Sequence, residues 1–329
     1  DDYHRARSPE LERITVPFLS AANWGGHALH LRGNTEAFMR AASAQKWLEF
    51  HGDSHWTHFY TDYGLQLQKR FFGHFLKGER TGWDKQPRVQ LQIRHPGEKF
   101  ILRHENEWPL ARTTWTRFYL DPAAGALQPE PPAQQAVLSY DSSGDGLTFS
   151  TPPLSEPLEI TGPLSARLHI SSATTDADVF LILRVFAPNG DEVVFQGAHD
   201  PHTPIAFGWL RASRRKLDMT RSLPYRPYHA HDEEQPLVPG EPVGLDIELW
   251  ATSIAIPARY RLALTVRGRD YEYPGGPAKV PGVPFPLSGV GPYLHADAGN
   301  RPPSIFQAQN AIHFERDSSN WIMLPIIPS

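Results

Sequence analysis

A short polar segment between an apolar run and an amphipathic run carries the side chains best placed for chemistry. It follows "KWLEF" and contains three histidines, His51, His55 and His58, together with Asp53 and Ser54. An imidazole titrates near neutral pH, so it can take a proton from a hydroxyl and return it to a leaving group. This pattern points to acid–base chemistry centred on one of the three rings.

His55 has the position expected of a catalytic base. It lies five residues past the apolar run and just ahead of the amphipathic one. In open α/β sheets, sites form on the loops at the C-terminal ends of strands. In serine hydrolases of that class the chain order is Ser, then Asp or Glu, then His, with the histidine after the last strand. We therefore predict that His55 is general base toward a serine hydroxyl and general acid toward the leaving group.

Other interpretations of these residues stay open. The three histidines, at spacings x3 and x2, suit a metal, although the loop adds no carboxylate or helix to preset the geometry. His51 and His58 also suit ordinary interfacial or solvated positions. Ser54 in "GDSHW" lacks the second glycine of a nucleophile elbow. "HAHDEE" at 229–234 is a second candidate cation site, against which stands a solvated loop.

The composition excludes several function classes. A net charge of −4 over 329 residues gives no basic excess for nucleic acid. Cysteine is absent, which excludes disulfides and thiolate chemistry and leaves the compartment open. No run approaches 18 apolar residues, so we expect no membrane contact through a spanning helix. The chain opens on "DDYHRARSPELERI" without Met or a signal-like segment, which suggests a processed product or a fragment.

The elements that must hold the histidine segment alternate between strand and helix. "ITVPFLS" (14–20) and "KWLEF" (46–50) have the apolar character of buried parallel strands. Asn34 is predicted to cap a helix that runs to about Ala44, and Asp62 a second helix that ends at Lys77-Gly78. This order is typical of a right-handed parallel α/β sheet. Two strands are too few, so the rest must come from upstream polypeptide or from the second domain.

The remainder is rich in short strands and turns, and 32 prolines, most of them after residue 120, reinforce that pattern. We predict an antiparallel β-sandwich of jelly-roll type, with domains at 1–86 and 87–329. "PNGDE" (188–192) predicts a tight hairpin, and the proline-rich stretch 222–242 a long ordered loop. The predicted strands are 88–93, 115–120, 158–170, 178–186, 244–250 and 259–266.

Long runs of this sequence resemble the CocE/NonD family of α/β hydrolases, which includes cocaine-esterase-like enzymes and relatives of X-prolyl dipeptidyl peptidases. The runs are "RITVPFLSAANWGG…LHLRGNTEAF…KWLEFHGDSHWTHFYTDYGLQLQKRFFGHFLKG", "GWLRASRRKLD", "PYRPYHAHDEEQPLVPGEPVGLDIELWATS", "RYRLALTVRGRD" and "NAIHFERDSSNWIMLPIIP". The resemblance implies the C-terminal part of an α/β-hydrolase sheet followed by the family's β-sandwich, with His55 as the triad base.

Two departures from the family pattern matter for activity. The family's "GW-x-D" reads "NWGG" here, so Gly26 stands where the triad acid is expected and that acid is unknown; the next carboxylate is Glu36, inside a predicted helix. No G-x-S-x-G-like elbow occurs, so this chain contains no nucleophile. We therefore expect the chain alone to be inactive as a serine hydrolase.

The turn at 23–27 is a candidate supporting element of the same site. Asn23 or His27 would orient His55 in place of the missing carboxylate, and the backbone N–H groups of Gly25 and Gly26 would approach a neighbouring loop. Trp24 is one of the aromatic residues that would shape an acyl pocket. The alternative for these five residues is a purely structural role, in forming the turn and packing the core.

The expected function is thus that of a portion of a serine hydrolase that acts through an acyl-enzyme, without metal or cofactor. Its expected partners are a small-molecule acyl ester or amide substrate and the N-terminal hydrolase segment of the parent protein. The alternative is a non-catalytic β-sandwich binding or structural module, for example for carbohydrate, with a vestigial hydrolase segment. Oligomeric state is not indicated by the sequence.

Overall fold

The structure is a computed structural model of the chain. It describes residue 3 and residues 6–27, 29–54, 56–197, 200–274, 294–315 and 319–328. The predicted base, His55, lies outside the described residues. No helix among the described residues has the length and apolar character needed to cross a bilayer.

The first part of the chain is a two-stranded parallel unit with two helices. Strands β1 (Phe18–Asn23) and β2 (Lys46–His51) pair in parallel along their whole length. Helices α1 (Leu31–Arg40) and α2 (Asp62–Lys77) follow β1 and β2 respectively. The predicted strand–helix alternation is therefore present.

The predicted start of α1 at Asn34 is wrong. The helix begins at Leu31, and its last residue is Arg40, since Ala41 is extended. Asn34 lies inside the helix, and its Nδ2 donates to Ser20 Oγ and to the carbonyl of Ala21, both at 3.1 Å. The amide thus joins α1 to β1 instead of capping the helix.

Helix α2 follows the prediction closely. Its N-cap is Thr61, one residue before the predicted Asp62, and the Thr61 hydroxyl accepts from the backbone N–H of Gly64. Its C-cap Gly78 has a φ of 69°, a left-handed conformation that glycine adopts without steric cost. Phe71 packs with Trp47 of β2 in a small aromatic core.

The rest of the chain is almost entirely β-structure around one large apolar core. Its elements are β3 (Val89–His95), β4 (Lys99–Glu105), β5 (Thr114–Asp121), β6 (Ala126–Gln128), β7 (Ala136–Asp141), β8 (Leu147–Ser150), β9 (Leu158–Ser172), β10 (Asp178–Phe186), β11 (Ala206–Arg211), β12 (Val243–Ile256), β13 (Arg261–Arg267), α3 (Pro303–Phe306), β14 (Gln309–Phe314) and β15 (Trp321–Ile327). Nearly all pairings among these strands are antiparallel, as in β12–β9, β10–β13 and β15–β5.

The parallel unit is extended by strands of the second part of the chain. β3 pairs in parallel with β2, from Leu48↔Val89 to Phe50↔Leu91, and continues into β12 through Ile254↔Arg94. One of the two expected sources of further strands is therefore the β-rich part. Among the described residues β1 has no strand on its other edge.

Two predicted turns can be compared directly with the structure. At 188–192 the chain reverses tightly, with the N–H of Ala187 bonded to the carbonyl of Asp191 at 2.8 Å. The stretch 222–242 forms none of the named strands. It is pinned to α1 by an ion pair between Arg226 and the buried Glu36. Glu36 is thus in a helix, as predicted, and its carboxylate is engaged.

Candidate active site

Asn23, the last residue of β1, holds the loop after β2 through hydrogen bonds to its backbone. The Asn23 Nδ2 donates to the carbonyl of Asp53 at 2.8 Å and to that of Gly52 at 3.2 Å. The backbone N–H of Trp24 donates to the carbonyl of His51 at 2.8 Å. Because β1 and β2 end side by side, this amide fixes the backbone that leads to position 55.

Ser54 is engaged locally. Its hydroxyl bonds the hydroxyl of Thr57, and its backbone N–H donates to Asp53 Oδ1 at 2.6 Å. Asp53 itself has a φ of 61°, so the loop turns sharply just ahead of position 55.

The turn at 23–27 packs tightly against the β-rich part. A Cβ on Gly25 would lie 2.4 Å from the Cα of Gly197, so only glycine fits this approach of two backbones. The N–H of Gly26 donates to the carbonyl of Asn23 at 2.9 Å and is therefore used inside the turn. The Trp24 ring is fully buried and stacks on Phe50 at 4.2 Å between centroids.

His27 faces the β-rich part. Its ring is fully buried, with centroids 4.8 Å from Phe207 and 6.1 Å from Trp250. Among the described residues neither ring nitrogen has a hydrogen-bond partner. Burial, together with the charge of Arg94, holds the pKa of His27 well below its usual range, so the ring is neutral at neutral pH.

The structure also assembles a polar cluster that the sequence did not indicate. Glu49 and His51 alternate along β2 and lie on the face that α2 covers. Glu49 Oε2 is 2.8 Å from His51 Nδ1, and Glu49 Oε1 is 3.6 Å from His58 Nε2. The two imidazoles stack with centroids 4.4 Å apart and planes 8° apart. We call Glu49, His51 and His58 the Glu–His cluster.

Burial governs the electrostatics of the Glu–His cluster. The Glu49 and His51 side chains are 1% and 2% exposed. Burial lowers the pKa of His58, and the opposing attraction of Glu49 only partly offsets it. Tyr63 packs on His58 and donates to Gln90 Oε1 at 3.2 Å, and burial raises the pKa of its phenol.

A cavity of about 160 Å³ lies beside the Glu–His cluster, between β1, β2 and α2. Its other walls are largely apolar and include Leu19, Leu67 and Phe71. The i, i+2 spacing of Glu49 and His51 in a strand was the available signal for this arrangement, because alternate residues share a face. The sequence interpretation missed it by assigning His51 to the loop and treating Glu49 as part of an apolar run.

Comparison with known proteins places the chain in a family. Residues 81–319 match the family described as the X-Pro dipeptidyl-peptidase C-terminal non-catalytic domain. A crystal structure of a CocE/NonD family hydrolase from Staphylococcus aureus is similar over 99% of this chain and 57% of that one, at 27% identity and a TM-score of 0.88. An α-amino acid ester hydrolase at 17% identity, with a TM-score of 0.62, shares the fold.

Two curated relatives are similar in sequence. A protein of Mycobacterium bovis described as a candidate serine esterase is 28% identical over 246 residues, which cover 62% of this chain and 36% of that protein. A cocaine esterase of Rhodococcus is 27% identical over 162 residues, 38% of this chain and 28% of that protein. The match thus takes in only about a third of each relative's length. The chain belongs to the X-Pro dipeptidyl-peptidase C-terminal domain family, within the CocE/NonD-like hydrolases that its sequence resembles.

Proposed function

We propose that this chain is part of a serine hydrolase that cleaves acyl ester or amide bonds through an acyl-enzyme. It would supply the base histidine, His55, and the β-sandwich, and an N-terminal hydrolase segment would supply the serine. The observation that carries this proposal is the likeness of nearly the whole chain to little more than half of a CocE/NonD family hydrolase. The relatives described as esterases favour an ester substrate over the alternative of a carbohydrate-binding module.

Within the part of the chain that the structure describes, the outer edge of β1 is unpaired, and this supports a partner segment. A parallel strand with an unpaired edge exposes backbone N–H and C=O groups that another strand can satisfy. Nearby, α2 exposes Phe72 and Leu76, which are 49% and 76% accessible. A hydrolase segment that pairs with β1 and packs on this side would bury both features.

In the proposed reaction His55 takes the proton of the serine hydroxyl as the oxygen attacks the substrate carbonyl. It then gives that proton to the departing alcohol or amine, and a water molecule hydrolyses the acyl-enzyme by the same two transfers. Asn23 is a positioning residue in this scheme, because it bonds the backbone of the loop that leads to His55. The triad acid is assigned to no residue of this chain.

The β-rich part would wall the cleft, and we propose the jelly-roll arrangement for it. The turn at 23–27 is locked to this part by the contact of Gly25 with Gly197. Three aromatic side chains beside the loop are exposed: Trp56 by 40%, Phe59 by 45% and Tyr60 by 79%. This exposure is expected if they form one side of an apolar acyl pocket whose other side belongs to the upstream segment.

The test uses the longer protein that includes the upstream segment. We expect p-nitrophenyl ester hydrolysis, and a fall in kcat/KM of at least about 1,000-fold for His55→Ala. His104→Ala, at an exposed position on β4, is the matched control and should keep wild-type activity. An active His55→Ala variant, or an upstream segment without a glycine-flanked serine, would overturn the proposal.

A further inference from the structure

The Glu–His cluster brings together a donor set that no activity described above requires. Two imidazoles and one carboxylate form a common set for zinc and for other first-row divalent cations. One ligand atom from each of Glu49, His51 and His58 lies within 4.8 Å of the other two. Ligand atoms about 2.1 Å from a tetrahedral zinc lie roughly 3.4 Å apart, so the two stacked rings must tilt toward a common point to close the site.

The unpaired atoms of this cluster are a second observation. Among the described residues, Glu49 Oε1, His51 Nε2 and His58 Nε2 are buried without a hydrogen-bond partner. A buried lone pair without a donor carries a free-energy cost. Two of these atoms, Glu49 Oε1 and His58 Nε2, lie 3.6 Å apart, and each is of a type that can bind a cation directly.

The charge of the cluster favours a cation as well. Glu49 is almost fully buried, and its ion-pair partners among the described residues are the two imidazoles alone. A buried carboxylate needs a compensating positive charge.

The contact between Glu49 and His51 already has a spacing close to that of two ligands of one ion. His51 Nδ1 lies 2.8 Å from Glu49 Oε2, and His58 Nε2 lies 3.6 Å from Glu49 Oε1, on either side of the roughly 3.4 Å between two ligands of a tetrahedral zinc. A cation bound by Nδ1 replaces the proton that this nitrogen shares with Glu49. The adjacent cavity of about 160 Å³ leaves room for a water as a further ligand.

We infer that Glu49, His51 and His58 bind a first-row divalent cation, Zn²⁺ foremost. The cation joins strand β2 to the short 3-10 turn Thr57–Tyr60 and so fixes both ends of the loop between them. This site is independent of the proposed ester hydrolysis, because it needs no upstream residue.

The test titrates tag-free, chelator-treated protein with Zn²⁺ by calorimetry and with Co²⁺ by visible absorption. We expect one Zn²⁺ per chain, Co²⁺ d–d bands typical of nitrogen ligands, and a rise in Tm on Zn²⁺ addition. His58→Gln and Glu49→Gln should each weaken Zn²⁺ binding by at least about 100-fold and abolish the Tm rise. His58 is the less buried of the two histidines, so His58→Gln should fold, and circular dichroism checks this.

The matched control is His231→Gln, in the "HAHDEE" segment. There Asp232 and Glu233 are paired with Lys216, so we expect Zn²⁺ affinity to be unchanged. Three outcomes would overturn the inference. These are no Zn²⁺ binding tighter than about 100 µM in the wild type, binding that survives in folded His58→Gln, or binding lost in His231→Gln.

Discussion

The β-rich part of the chain and the parallel unit before it differ in how completely they bury their apolar side chains. The β-rich part closes around its own core, where Leu181, Leu249 and Leu264 are 0–1% exposed. In the parallel unit, six large apolar side chains are exposed within the stretch 56–76 (Trp56, Phe59, Tyr60, Leu65, Phe72 and Leu76). Such clustering marks an interaction surface more often than chance exposure.

The parallel unit is therefore the part that depends on other polypeptide. A core that excludes water from all sides gains its stability within the chain. A unit that has a free strand edge and an exposed apolar helix face gains part of its stability from whatever covers them. We therefore expect the upstream segment to stabilise the parallel unit and to leave the stability of the β-rich core unchanged.

The largest effect is expected in the β-rich core. Leu181→Ala should lower the free energy of unfolding by about 2–5 kcal/mol, because it leaves a cavity in a close-packed interior. Leu76→Ala, on the exposed face of α2, should change it by no more than about 0.5 kcal/mol in this chain. Urea unfolding of both variants provides the measurement. A comparable loss in Leu76→Ala would contradict the contrast between the regions.

The next effect concerns the junction between the regions. Arg226→Met removes the cation that pairs with buried Glu36 and leaves the more distant Arg40, at 3.6 Å, as its ion-pair partner. We expect a loss of about 3 kcal/mol by thermal or urea unfolding. The double variant with Glu36→Met should recover much of it, since no buried charge then remains. A double variant as unstable as Arg226→Met would argue that the charge is unimportant.

A more modest destabilisation is expected at Asn23, at the end of β1. Asn23→Ala removes the donor to the carbonyls of Gly52 and Asp53 and should cost about 1–3 kcal/mol. Asn23→Asp should cost at least as much, because a carboxylate cannot donate to those carbonyls. Amide hydrogen exchange should quicken across 51–54 in both variants. Unchanged exchange there would remove Asn23 from the positioning role.

Much of this architecture is predictable because the spacing of apolar residues and the helix caps depend on residues close together in the sequence. Leu67 and Phe71, one turn apart, set the buried face of α2, and Gly78 ends the helix at the predicted place. The apolar run after Lys46 is a strand, as its composition indicated. The strands of the β-rich part are likewise apolar runs separated by turns.

Tertiary pairing explains what the sequence did not predict. Asn34 resembled a cap, yet its amide bonds β1, a contact between residues 13 and 14 positions apart. β3 begins the β-rich part and still extends the parallel sheet. The Glu–His cluster depends on the fold of the loop, which returns His58 to the face of β2 that carries Glu49.

The proposed division of catalytic residues between this chain and an upstream segment is tested by mapping the serine that a fluorophosphonate probe labels in the longer protein. Peptide mass spectrometry should locate the adduct upstream of residue 1, and the isolated 329-residue chain should take no label. An adduct on any serine within residues 1–329, Ser54 included, would contradict the account of a chain that supplies the base and not the nucleophile.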